Sequence, residues 1–207
     1  SEYVKDMKEG QKEIYYACGE SIAKIDLLPQ VEAVKDKGYE ILYCTEYVDE
    51  FTIMTLRKYK DFEFKNVCND SIDLDTKEEK EELAKKNDNA KDMFKTMAEA
   101  VSEVKSIRFT NKLKNHPVCL SSDGEISVEM EKAMNAMPFD NDVKASKVLE
   151  INENHPIAKK LENLYNTDKE ELKNMTKVLY AQARLIEGLS IENPTEISNL
   201  ICEYLSK

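Results

Sequence analysis

This chain of 207 residues has no Trp, only two His, five Gly and five Pro. Each scarcity excludes something. With few Gly there is no Walker A loop and no G-x-G-x-x-G, and G-x-S-x-G and H-E-x-x-H are absent too. The Cys count is odd (Cys18, Cys44, Cys68, Cys119, Cys202) and no two form a C-x-x-C pair. With His116 and Cys119 three apart and no second Cys beside them, a zinc site has little to draw on. Cys18 and Cys44 lie inside apolar runs, which predicts reduced, buried thiols in a cytoplasmic protein. No hydrophobic run approaches membrane-spanning length, and no basic segment precedes an apolar one as in a secretory signal. The chain lacks an initiator Met, so it is expected to be cut from something longer. Basic charge is also short. The net charge of −11 would repel duplex nucleic acid, and no basic stripe offsets it. Neither nucleic acid nor membrane is an expected partner.

What is present suffices for two small domains, with 41 % hydrophobic and 34 % charged residues. Residues 13–18 favour a strand that Gly19 stops. Ser21 can cap a helix carrying Ile22, Ile25, Leu28, Val31 and Val34, with Pro29 kinking or breaking it and Gly38 ending it. Residues 39–45 form a nearly unbroken apolar run, so strand, helix and strand make a βαβ unit. A short helix over 49–58 and a strand over 62–67 follow, and the pair Asp49-Glu50 suits the N-terminal charges of that helix. The acidic stretch 69–76 marks the expected boundary between domains 1–70 and 71–207.

Thr76 with Glu79 predicts a capping box opening a long helix along Leu83, Ala90, Phe94, Met97, Val101 and Val104, with Asn87 as a polar gap. Residues 107–113 and 117–120 alternate like two strands joined by the short link Lys114-Asn115-His116, as in a hairpin. A helix over 126–137, a strand over 147–151 and helices opening at Pro156, 168 and 194 complete the α+β second domain.

Two constellations are candidates for function. Met130, Met134 and Met137 fall at i, i+4 and i+7 with Ile126 and Ala133 on the same side. Such a flexible face either packs in the core or meets partners of varied shape. In the last two helices, Leu172, Met175, Val178, Leu179, Ala183, Leu185 and Ile186 wrap more than one side. Ile197, Leu200, Ile201, Tyr204 and Leu205 form a clean stripe. Both sets are covered either by their own domain or by a two-fold related copy in a four-helix bundle. Arg184 among them snorkels or pairs with a carboxylate. Catalysis finds little support: a Gly19-Glu20-Ser21 phosphate turn and a Cys119–His116 pair are both thin signals.

The opening Tyr3-Val4, Met7-Lys8-Glu9-Gly10-Gln11-Lys12 and Ile14-Tyr15-Tyr16 resembles the 90-kDa heat-shock chaperone family, of the bacterial HtpG type. Gly19-Glu20-Ser21, Val48-Asp49-Glu50-Phe51, Pro117-Val118, Leu149-Glu150-Ile151-Asn152, His155-Pro156 and Leu179-Tyr180-Ala181-Gln182-Ala183 follow in family order. Asp6 stands where the family usually has Arg, and Cys18 where Thr is common. The resemblance implies the small α/β end of a middle domain followed by a C-terminal dimerisation domain. It implies a homodimer that contacts unfolded or partly folded client protein through Ile126, Met130, Ala133, Met134 and Met137. The dimer contact would fall on Leu172, Met175, Leu179, Ala183 and Ile186 of one helix and Ile197, Leu200, Ile201, Tyr204 and Leu205 of the last. ATP and Mg would belong to a missing N-terminal domain, so this fragment is expected to hold no cofactor or metal and not to be an enzyme. The absence of an acidic Met-Glu-Glu-Val-Asp tail favours a bacterial-type, cytoplasmic stress protein. A homodimeric scaffold unrelated to chaperoning is the alternative.

Overall fold

A computed structural model describes residues 2–69, 71–72, 74–138 and 143–206. In chain order the elements are α1 (Glu2–Asp6), β1 (Glu13–Cys18), α2 (Ile22–Asp26), α3 (Pro29–Asp36), β2 (Ile41–Cys44), α4 (Tyr47–Leu56), β3 (Lys58–Tyr59) and β4 (Phe62–Asn66). They continue with α5 (Lys77–Asn89), α6 (Lys91–Ala98), β5 (Val104–Thr110), β6 (Val118–Ser122), α7 (Val128–Asn135) and β7 (Lys147–Asn152). The helices α8 (Pro156–Thr167), α9 (Lys169–Ile186) and α10 (Pro194–Leu205) close the chain. The fold is mixed α+β. It divides into two compact units, Ser1–Leu74 with Ser121–Ser146, and Asp75–Leu120 with Lys147–Lys207. The segment 121–146, placed by the sequence reading with the second domain, thus groups with the first unit. Inside that unit the Ser122 amide donates to the Cys68 carbonyl at 3.0 Å. The Ser127 hydroxyl donates to Glu50 at 2.8 Å.

The first unit holds a sheet in the order β2-β1-β4-β3. β1 is parallel to both β2 and β4, with Tyr15 opposite Ile41, Cys18 opposite Cys44 and Ile14 opposite Phe64. The expected βαβ unit is therefore present, and Pro29 does break its helix in two, opening α3 at its first position. Ser21 caps α2 by accepting from the Lys24 amide. Gly38 follows α3 with φ of 74°, a left-handed stop that a Cβ would penalise. Tyr15, Ala17, Ile25, Val31 and Val34 form the core on one sheet face. Tyr16, Cys18 and Cys44 gather on the other face, with Ile53 of α4 against them. Gly19 has a packing role: a Cβ there would come within 2.8 Å of the Ile25 side chain.

The second unit is built on β5, β7 and β6 in that order, with β5 parallel to β7. The expected hairpin between the strands now seen as β5 and β6 is not formed, because β7 lies between them. Their link is instead pinned by Asn152 at the end of β7, whose amide donates to the carbonyls of Lys114 (3.1 Å) and His116 (3.0 Å). The Thr76–Glu79 capping box forms as expected. The long helix breaks at Ala90 into α5 and α6 and ends at Ala98, so Val104 begins β5. The polar gap at Asn87 has a physical cause: its side chain exchanges both hydrogen bonds with the Phe109 backbone, at 2.8 and 3.2 Å. Met97, Phe109, Leu149, Leu161, Leu172 and Leu179 fill the core around this sheet. Within it Glu150 is almost wholly buried, and Arg108 Nε donates to it at 2.9 Å, with Lys112 Nζ 3.6 Å away.

Candidate functional site

In the first unit, β1 lies between β2 and β4: the chain leaves β1 through α2 and α3 to reach β2, then leaves β2 through α4 to reach the far side of β1. Crevices at the carboxyl ends of such strands are where open α/β sheets place ligands. Two helices bound that crevice here. α4 opens with a capping box in which Glu46 and Asp49 satisfy each other's backbone amides. Asp49 and Glu50 both fall in the first turn of α4, as expected, and Glu50 is turned inward and buried. α7 opens on Ser127, whose hydroxyl accepts from the Met130 amide at 3.0 Å and donates to Glu50 Oε2 at 2.8 Å. Glu50 Oε1 accepts from the Asn66 side chain at 2.8 Å. One buried carboxyl therefore ties α4, β4 and the start of α7 together. Burial raises its pKa, opposed by the bonds from Ser127 and Asn66.

Around this tie are two openings. A cavity of about 160 Å³ is lined by Cys18, Gly19 and Cys44 at the strand ends, Tyr47 and Phe51 of α4, and Met130 and Ala133 of α7. A groove of about 880 Å³ runs past Glu50 along Ile53, Met54 and Arg57, with Phe64 of β4 and the turn at Gly124 opposite.

The five residues of the expected Met face separate here. Met130 and Ala133 are buried, Ile126 and Met134 are half-buried, and Met137 is 41 % exposed. Met130 and Ala133 are thus part of the cavity wall rather than an open face, because α7 packs that side toward α4. Only the far end of the stripe is available at the surface. The structure adds α4 residues that the sequence reading left out. Tyr47 is 68 % exposed, Val48 is also exposed, and Phe51 is half-buried. The signal was present in the sequence, since α4 is apolar on more sides than one neighbouring layer can cover. Gly19-Glu20-Ser21 provides a cap and a close approach.

In the second unit, Leu172, Met175, Leu179, Ala183, Ile197 and Leu200 are buried within the unit itself. That leaves Ile201 and Leu205 exposed, Leu205 at 83 %, with Ile186 and Tyr204 half-buried. Leu185 of α9, outside the expected set, is 62 % exposed. Of the expected interface set, Ile201 and Leu205 are thus the residues left exposed in this chain, because α9 packs against α6, α8 and α10. Arg184 pairs with Glu103 and lies 3.7 Å from Glu192, and its Nε donates to the Ser190 carbonyl at 2.7 Å. Burial pushes the neighbouring Tyr180 hydroxyl up to about 12, although Arg184 acts to lower it. Cys119 is buried against Glu150, 3.8 Å away. Among the described residues no cluster of three or more His, Cys, Asp or Glu is arranged to hold a metal. No described helix is long and apolar enough to cross a membrane.

Fold and surfaces together define an α+β protein with apolar helical faces left open on each unit. The profile of the family described as Hsp90 protein matches residues 1–207, and the chain belongs to that family. It is 50 % identical over 207 residues to the chaperone protein HtpG of Clostridium botulinum, covering 99 % of this chain and 33 % of the relative. It is 49 % identical over 205 residues to the Bacillus subtilis HtpG, again 99 % of this chain and 33 % of the relative. The Clostridium acetobutylicum HtpG is 52 % identical over 205 residues, 99 % and 32 % respectively. The chain thus spans about a third of the length of these curated relatives.

Proposed function

We propose that this chain is the part of an ATP-dependent cytoplasmic chaperone that contacts partly folded client protein and pairs with a second copy of itself. Client contact is assigned to the crevice between α4 and α7 at Tyr47 and Phe51, extended over Val48 of α4 and over Met134 and Met137 at the end of α7. Pairing is assigned to Leu185, Ile201 and Leu205, with Ile186 and Tyr204 beside them. ATP and Mg act in a part of the parent protein outside this chain. The observation that carries client contact is the exposure of Tyr47, which lines the cavity beside Phe51, Met130 and Ala133, and of Val48 on α4 and Met137 just past α7. Large side chains exposed together mark partner surfaces. Met lets one surface fit many apolar shapes. Two such surfaces in one dimer raise the local concentration seen by a bound chain.

The experiment compares wild type with Tyr47→Glu/Met137→Glu for suppression of aggregation of a heat-denatured model protein. Both residues are exposed, so the fold and melting temperature should be kept while suppression falls several-fold. Equal suppression by both proteins would remove the assignment. A protein that dimerises yet suppresses nothing would instead favour a dimeric scaffold.

A further inference from the structure

The two cysteines at the floor of the crevice form a pair that the sequence reading did not bring together. Cys18 is the last residue of β1 and Cys44 the last of β2. The parallel register places them directly opposite each other. Opposed residues on neighbouring strands share a sheet face, and strands lie about 4.8 Å apart. That spacing is inside the Cα separation a disulfide tolerates. Both side chains are on the face of Tyr16 and both are buried, and both thiols are reduced. They nevertheless line the 160 Å³ cavity, together with Glu20, Glu46, Tyr47, Glu50 and Glu129, so a small molecule that enters it can reach them.

We propose that Cys18 and Cys44 act as a reversible dithiol–disulfide pair, oxidised by hydrogen peroxide or a related peroxide that enters the crevice. The proposal rests on strand register and cavity lining, independently of what the crevice binds. The mutual influence of the two neighbouring sulfurs holds Cys44 below the ordinary thiol range and, with burial, pushes Cys18 above it. Burial, Asp49 and Glu50 oppose ionisation of Cys44, and burial and Glu50 oppose that of Cys18. Cys44 is therefore the attacking sulfur and Cys18 the resolving one. The Cys44 thiolate attacks a peroxide oxygen and the O–O bond breaks, giving a sulfenic acid and one water. The Cys18 sulfur then attacks the sulfenic sulfur, the S–O bond breaks and a second water leaves. The two thiol protons end in the two waters, two sulfurs are each oxidised by one electron, and one peroxide is reduced. Because β1 and β2 are already hydrogen-bonded neighbours with Cys18 opposite Cys44, the link joins residues that the register already pairs.

The test treats the folded wild-type chain with a small excess of hydrogen peroxide, then counts thiols and maps peptides by mass spectrometry. Two of the five thiols should disappear, a Cys18–Cys44 linked peptide should appear, and dithiothreitol should restore all five. The Cys202→Ser variant removes the exposed thiol, and it should lose the same pair at the same rate. Cys44→Ala should leave Cys18 in the reduced form after the same treatment. If that variant does not fold, the wild-type peptide map decides alone. Persistence of both thiols, oxidation of either to sulfinic acid without linkage, or links formed only through Cys202 would each overturn the proposal.

Discussion

Replacing Glu50 tests whether one carboxyl fixes α7 to the first unit. Both of its oxygens accept hydrogen bonds at 2.8 Å, from Asn66 and from Ser127. Each buried hydrogen bond lost is worth about 1–1.5 kcal/mol, so Glu50→Ala should cost roughly 2–3 kcal/mol near pH 4–5. With an m-value of about 1–3 kcal/mol/M, that moves the urea midpoint of the transition by about 0.7–3 M. Glu50→Gln keeps the shape. Its carbonyl oxygen accepts from Asn66, and its amide donates to the Ser127 oxygen, which has a lone pair to spare. The glutamine should therefore cost under about 1 kcal/mol at low pH. The pH dependence follows from the raised pKa. The folded state holds the Glu50 proton more tightly than the unfolded state does. Its stabilisation is thus complete below the unfolded value of about 4.3 and is lost as pH rises through the folded value. Glutamine does not titrate, so Glu50→Gln should gain on wild type as pH goes from about 4 to 7. The assay is urea denaturation by circular dichroism at stepped pH, with hydrogen exchange at the Met130 amide, which Ser127 holds at 3.0 Å. Parallel pH curves for wild type and Glu50→Gln, or a Glu50→Ala cost under about 0.5 kcal/mol, would refute this account of the site.

Glu150→Ala should destabilise the second unit by about 1–3 kcal/mol, because it removes an almost wholly buried carboxylate that accepts from Arg108. Urea titration of that variant checks it, and an effect within about 0.5 kcal/mol would show that the charges escape to water. Ile201→Glu/Leu205→Glu should convert a dimeric wild type to monomer. Covering each such side chain contributes about 1–3 kcal/mol per chain, which for two chains amounts to a thousand-fold or more in dissociation constant, roughly. Sedimentation at matched concentrations reads this directly, and a wild type that stays monomeric at high concentration would end the pairing assignment.

The local elements were legible because their signals are local. Ser21, Thr76 with Glu79, Asn193 and Pro194 open helices by satisfying or lacking particular backbone amides, and each does so in the structure. Pro29 and Gly38 break and end helices for reasons internal to one residue. Strand order was not legible. The apparent hairpin over 107–120 failed because β7, drawn from thirty or so residues downstream, lies between its two strands. The Met stripe was legible as a stripe, but the side it buries depended on where α4 stood.

The sequence alone determined the periodicity of each helix, its caps, the kinship with the Hsp90 family and the shortage of catalytic groups in its motifs. Those are properties of residues within a few turns of one another. Only the tertiary structure decided that α7 turns Met130 toward α4, that Glu50 is an internal tie, that α9 uses most of its apolar surface within its own unit, and that Cys18 faces Cys44. Each of these depends on a partner distant in sequence, chosen by chain packing and strand register, which no local pattern encodes.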